Sequence, residues 1–130
     1  MILLDTHVWI WLLASPDKLS RIAADSIEGQ NGDGQILISA MSVWELFMLV
    51  KKQRLSLTLP ANAFLATTHG DSRFEVVPVD ENIARHSVEL ADIHADPADR
   101  IILATAVRIG CPLVSRDARF QAYQVVPVIW

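Results

Sequence analysis

The chain has 130 residues, of which 52% are hydrophobic and 20% charged, with a formal charge of −4 and one cysteine. That hydrophobic content excludes a disordered chain, and the length predicts a single domain spanning 1–130. A lone Cys111 excludes an internal disulfide and a cysteine-built zinc site, and is expected to be a small buried hydrophobe beside Pro112.

The first predicted element is a strand over 2–5, followed by a short helix over 7–14. This opening is mostly apolar, yet it lacks a basic start and is broken by Asp5 and His7, so it reads as mature structure and not as a secretory leader. Its longest apolar run, residues 8–14, is seven residues long, against about 20 for a membrane-spanning helix. A cytoplasmic protein with no membrane partner is expected. Helical spacing returns over 20–28, and the glycine-rich, polar stretch 29–34 is a loop. A strand over 35–39 then leads to a helix over 42–52, with Trp44 expected to pack, like Trp9, between helices and sheet. Lys51, Lys52 and Arg54 form a basic cluster at its end, a favourable place for cations.

A helix over 61–69, a strand over 74–79, a helix over 81–92 and a helix over 97–109 follow, then strands over 112–115 and 124–128. Short apolar strands separated by helices imply right-handed crossovers and a parallel sheet covered on both faces, a doubly wound α/β sandwich. Such sheets place their sites beyond the carboxyl ends of the strands.

Four carboxylates fall at suitable points, and each has a plainer explanation. Asp5 ends the first strand and could cap the next helix. Glu45, in Ser42-Val43-Trp44-Glu45, fits a capping box. In Asp96-Pro97-Ala98-Asp99-Arg100, Asp96 has the position of an N-cap, Pro97 that of a first helical residue, and Asp99 a favourable charge in the first turn. Asp117, in Ser115-Arg116-Asp117, suits a loop. Together they have a different meaning: carboxylates gathered at one sheet edge repel unless cations intervene, and oxygen-only ligands suit Mg or Mn bound to substrate phosphates. Residues 1–99 carry 7 basic and 14 acidic side chains, and residues 100–130 carry 4 arginines and one aspartate. Arg100 and Arg116 adjoin the acidic segments and are the candidates for phosphate contact. The four histidines are scattered, and none is assigned to metal.

In Leu3-Leu4-Asp5-Thr6-His7, Ile38-Ser39 to Trp44-Glu45, His94 to Arg100, and Leu113 to Asp117 with Phe120, the sequence resembles the PIN domains, and within them the VapC-type toxins of prokaryotic toxin–antitoxin pairs. It departs from the usual pattern at Ala98, where Phe is common, and at Ser115, where Thr is common. The resemblance implies a PIN-like three-layer α/β/α sandwich with a five-stranded parallel sheet in the order 3-2-1-4-5. It implies Asp5, Glu45, Asp99 and Asp117 as the catalytic and metal-binding acids; beside them Thr6, Ser115, Arg100 and Arg116 are expected to position substrate and Asp96 to be a structural cap. Mg- or Mn-dependent endoribonuclease activity on RNA, a homodimer and a cognate antitoxin partner follow from it. The competing readings are a haloacid-dehalogenase-like phosphohydrolase, which needs a second Asp where this chain has His7, and a non-catalytic Rossmann-like binding module. The absence of a glycine-rich phosphate loop from this chain speaks against the latter as a dinucleotide binder.

Overall fold

Three consecutive apolar residues, each buried, make up strand β1 (Ile2–Leu4), the pattern of a strand covered on both faces. The computed structural model describes residues 1–130. After β1 come α1 (Thr6–Ala14), a 3-10 turn over Pro16–Lys18, α2 (Arg21–Glu28), β2 (Ile36–Ser39), α3 (Ala40–Lys51), α4 (Ala61–Gly70) and β3 (Phe74–Val77). The chain continues through α5 (Glu81–Glu89), α6 (Pro97–Ile109), β4 (Leu113–Val114), α7 (Arg119–Ala122) and β5 (Val128–Ile129). All four strand pairings are parallel, and the sheet order is β3-β2-β1-β4-β5. The expected doubly wound architecture is the observed one.

Strand alternation divides the interior into two cores. Ile2 and Leu4 of β1, Ile36 and Ile38 of β2 and Val114 of β4 face one side, where Val8, Trp9, Ile27, Leu46 and Phe64 cover them. Leu3, Leu37 and Leu113 face the other and pack under Ile83, Ile102, Leu103 and Phe120. The register places Leu3 between Leu37 and Leu113, so the second core begins as a row of leucines across the three central strands. Cys111 is buried in that core, as expected.

Helix starts carry side-chain caps: Ser20, Ser39, Asp80 and Asp96 accept from the amides of Ala23, Met41, Ile83 and Ala98. Ser39 moves the start of α3 ahead of the expected residue 42, because the strand runs straight into the helix. At the other end of α6, Gly110 takes φ 79°, a left-handed conformation that glycine adopts without a Cβ clash. No helix is long and apolar enough to cross a membrane.

Three expectations change. The strand expected over 124–128 is reduced to Val128–Ile129: Gln124 has φ 54° and Pro127 has no amide to donate to a ladder. The helix expected to run to residue 92 stops at Glu89, where Leu90 turns extended. Trp44 lies on the outer face of α3 and is 56% exposed, whereas Trp9 is fully buried.

Trp9 shows how α1 is fixed. Its ring meets Phe64 edge-on at 5.2 Å and its indole Nε1 donates to Thr68 Oγ1 at 3.0 Å, tying α1 to α4. Trp9→Ala removes the largest fully buried side chain and its one polar anchor, so we expect a loss of about 3–5 kcal/mol in chemical denaturation. Trp9→Phe, which keeps most of the apolar volume, should lose distinctly less.

Candidate functional site

β1 and β4 are neighbours whose following segments leave the sheet in different directions, and the crevice at their carboxyl ends is where the acids meet. Asp5 directly follows β1, and Asp117 lies three residues beyond β4. Asp99 is in the first turn of α6. Glu45 comes from the second turn of α3, not from a helix start: Ser39 is the cap, Ser42 is already helical, and the capping box expected between Ser42 and Glu45 does not form. A cleft of about 350 Å³ is lined by Asp5, Glu45, Asp96, Asp99 and Asp117 with His7, Val8, Trp11, Arg116 and Arg119 at its walls. The four acids singled out in the sequence therefore share one concavity, and Asp96 joins them.

Each carboxylate is held by neighbours that consume part of its hydrogen-bonding capacity. Asp5 Oδ1 accepts the Thr6 amide at 2.8 Å and Oδ2 accepts the Ser115 hydroxyl at 2.8 Å. Ser115 Oγ in turn accepts the Asp117 amide at 3.0 Å, so one hydroxyl sets the end of β1 against the loop after β4. The Thr6 hydroxyl lies 2.8 Å from Glu45 Oε1 and 2.9 Å from Ser42 Oγ. With a single hydrogen it donates to the carboxylate and accepts from Ser42. Both hydroxyls, of residues expected to position substrate, are buried and bonded to the acids.

Asp117 has the most partners. Arg119 grips it in a fork, Nη2 to Oδ2 at 2.7 Å and Nε to Oδ1 at 3.0 Å, and the Arg119 amide adds a bond to Oδ1 at 3.0 Å. These bonds, the guanidinium's first, hold the Asp117 carboxyl well below the usual carboxylate range. Asp99 is the opposite case. Burial pushes its carboxyl up, and Asp5, Asp96, Glu45 and Asp117 push it further, to about 8. Burial also raises Asp5 and Glu45. Two neighbouring carboxylates are thus driven in opposite directions, because the arginine serves one of them alone. An all-oxygen set that includes a proton-holding carboxyl fits a hard divalent cation, whose charge would take the place of that proton.

Three residues take places that the sequence did not indicate. Arg100, expected to contact phosphate, turns away from the cleft: its guanidinium donates to the carbonyls of Ser87, Ala91, His94 and Leu90 at 2.7–3.2 Å and closes the loop between α5 and α6. These donors satisfy the carbonyls freed where α5 stops early. His94, left unassigned, is buried with Nε2 2.9 Å from Asp99 Oδ2 and 3.1 Å from Asp117 Oδ2. Its spacing, two residues before the Asp96 cap, was the available signal. Arg119 was also passed over, although it sits two residues after Asp117.

Residues 2–126 match the model of the PIN domain family. The chain is 33% identical over 124 residues to "Ribonuclease VapC22" of Mycobacterium tuberculosis, covering 95% of this chain and 92% of that protein. Among solved structures, it is similar to a toxin–antitoxin complex from Klebsiella pneumoniae, with 26% identity, a TM-score of 0.63 and coverage of 94% and 91% of the two chains. VapC20 of M. tuberculosis, at 17% identity, TM-score 0.70 and 97% coverage of each chain, shares the fold.

The raised carboxyls have a consequence for stability in the absence of cations. A group that holds its proton more tightly folded than unfolded favours folding while protonated. For Asp99 that contribution is complete below the unfolded value near 3.8 and is lost as pH rises to about 8. Asp117, shifted the other way, loses its contribution only below about pH 4. In chelator, the melting temperature should therefore fall between pH 5 and pH 8, and Asp99→Asn should flatten that slope. An unchanged slope in the variant would contradict the assignment.

Proposed function

The chain belongs to the PIN-domain family, and on that footing we propose that it is an Mg- or Mn-dependent endoribonuclease, the toxin of a toxin–antitoxin pair. The observation that carries the reading is the convergence of Asp5, Glu45, Asp99 and Asp117 on one cleft, with Asp99 pushed up to about 8 by burial and then by its carboxylate neighbours. Asp5, Glu45, Asp99 and Asp117 are the proposed ligands. A cation held there supplies Lewis-acid stabilisation of the phosphoryl oxygens and lowers the pKa of an attacking water.

The protein's own contribution is preorganisation. Ser115 and the Thr6 amide fix both oxygens of Asp5, and the Thr6 hydroxyl fixes Glu45. These donors hold the carboxylates without neutralising them, so their charge stays available. Arg116 and Arg119 stand at the cleft wall as the cations able to meet RNA phosphates, Arg119 by sharing its guanidinium between Asp117 and the incoming anion. Asp96 caps α6, and its charge beside Asp99 adds to the demand for a cation. Residues 1–130 work as one domain in this account, since both cores share the central sheet.

A cognate antitoxin and a second copy of the chain are the proposed protein partners. Val8, Trp9 and Ile10 of α1 and Leu46 of α3 are buried within the fold. The available surface is instead the outer face of α3, where Val43, Trp44, Phe47 and Met48 line a broad groove. A contiguous apolar surface of this kind supports a protein partner.

Cleavage of a defined RNA should require added Mg or Mn and stop in EDTA. Asp99→Asn should keep the fold and abolish cleavage. Asp96→Ala should cost about 0.5–2 kcal/mol of stability, the usual effect of losing an N-cap, and leave measurable activity. Cleavage that survives rigorous chelation, or hydrolysis confined to small phosphomonoesters, would overturn the reading.

A further inference from the structure

His94 is 3% exposed and stands behind the acids, at the junction of the start of α6, which carries Asp96 and Asp99, with the loop after β4, which carries Asp117. Its backbone amide donates to Tyr123 Oη at 2.7 Å, its carbonyl accepts from Arg100 Nη1 at 3.2 Å, and its ring lies against Phe120 with centroids 5.6 Å apart. The ring is thus fixed from the α5–α6 loop, α6 and α7 together.

The Asp96 amide donates to His94 Nδ1 at 3.3 Å. A ring nitrogen that accepts carries no hydrogen, so the neutral ring has its proton on Nε2. That nitrogen faces Asp117 Oδ2 at 3.1 Å in hydrogen-bond geometry and lies 2.9 Å from Asp99 Oδ2. Once Asp99 is ionised, these two oxygens, brought together from different segments, would face each other as bare anions without a donor between them. The ligand atoms of the three residues lie within 4.8 Å of one another, close enough for a shared ion. An Nε2 that carries the proton, however, has no lone pair to give.

We propose that His94 is a positioning residue, whose Nε2–H holds the Asp99 and Asp117 carboxylates at the separation a cation requires without itself becoming a ligand. The inference rests on the reading of Asp99 and Asp117 as cation ligands. The same Asp96 that caps α6 sets the tautomer through its amide, so the helix start and the orientation of the acids are one device. Metal sites depend on such outer partners to orient their ligands.

The test uses the full chain, free of RNA, with Mn titrated in and free Mn followed by electron paramagnetic resonance. Variants are His94→Leu, which fills the space beside Phe120 but donates nothing, and His94→Gln, which restores an N–H donor of similar reach. Thermal melts check that both fold. Leu should weaken Mn binding by about 10- to 100-fold, the usual effect of losing an outer partner, and Gln should recover most of the loss. Pulsed resonance on the wild-type Mn complex should show no directly bound imidazole nitrogen. A directly bound nitrogen overturns the inference even if the Leu variant does not fold. Unchanged affinity in the Leu variant, or a Gln variant as weak as Leu, overturns it as well. An Asp99→Asn chain that binds Mn like the wild type removes the underlying reading instead, and wild-type protein that binds Mn but leaves RNA intact removes only the nuclease.

Discussion

Like charges forced into one concavity are the constraint around which this molecule is built. Asp5, Glu45, Asp96, Asp99 and Asp117 line a single cleft, and the only guanidinium bonded to any of them is committed to Asp117. Burial first, and repulsion among the acids after it, raises the carboxyls of Asp5, Glu45 and Asp99, so that protons or a cation are favoured there. Repulsion of this kind would open the site if the segments bearing the acids were free to move. They are not, because each is an extension of a buried element.

The sheet supplies that restraint. β1 is buried on both faces and bonded on both edges, so Asp5 is fixed at its end with little freedom. Ser115 ties Asp5 to the loop after β4, Thr6 ties α1 to α3 through Glu45, and Arg100 closes the chain that delivers His94. Small hydroxyls therefore do most of the fastening. They suit the task because they bridge carboxylates and amides over a short distance without adding charge. The serine at 115 provides the one atom this arrangement uses.

Much of this was legible in the chain itself. Apolar runs of strand length separated by helical spacing gave the layer order, and the acids fell where a doubly wound sheet gathers its loops. The capping signal at Asp96-Pro97 located the start of α6 to the residue. What escaped the sequence was direction. Glu45 lies on the face of α3 set by its cap at Ser39, and a local pattern beginning at Ser42 pointed to the wrong helix start. Arg100 adjoins Asp99, but one residue along a helix is a rotation of about 100°, which turns its side chain onto the α5–α6 loop. His94 is close to Asp117 only in space, across 23 positions of the chain. Exposure of Trp44 was equally hidden, because apolar spacing does not distinguish a covered face from one awaiting a partner.

The central claim is that a cation takes the place of the proton on Asp99. It is tested most directly by calorimetric titration of Mn into the protein near pH 7 in two buffers of different ionisation enthalpy, which counts the protons released on binding. The wild type should release most of one proton, since a group titrating at about 8 is still largely protonated there, and Asp99→Asn should release little. Tight Mn binding with no proton release from the wild type would contradict it.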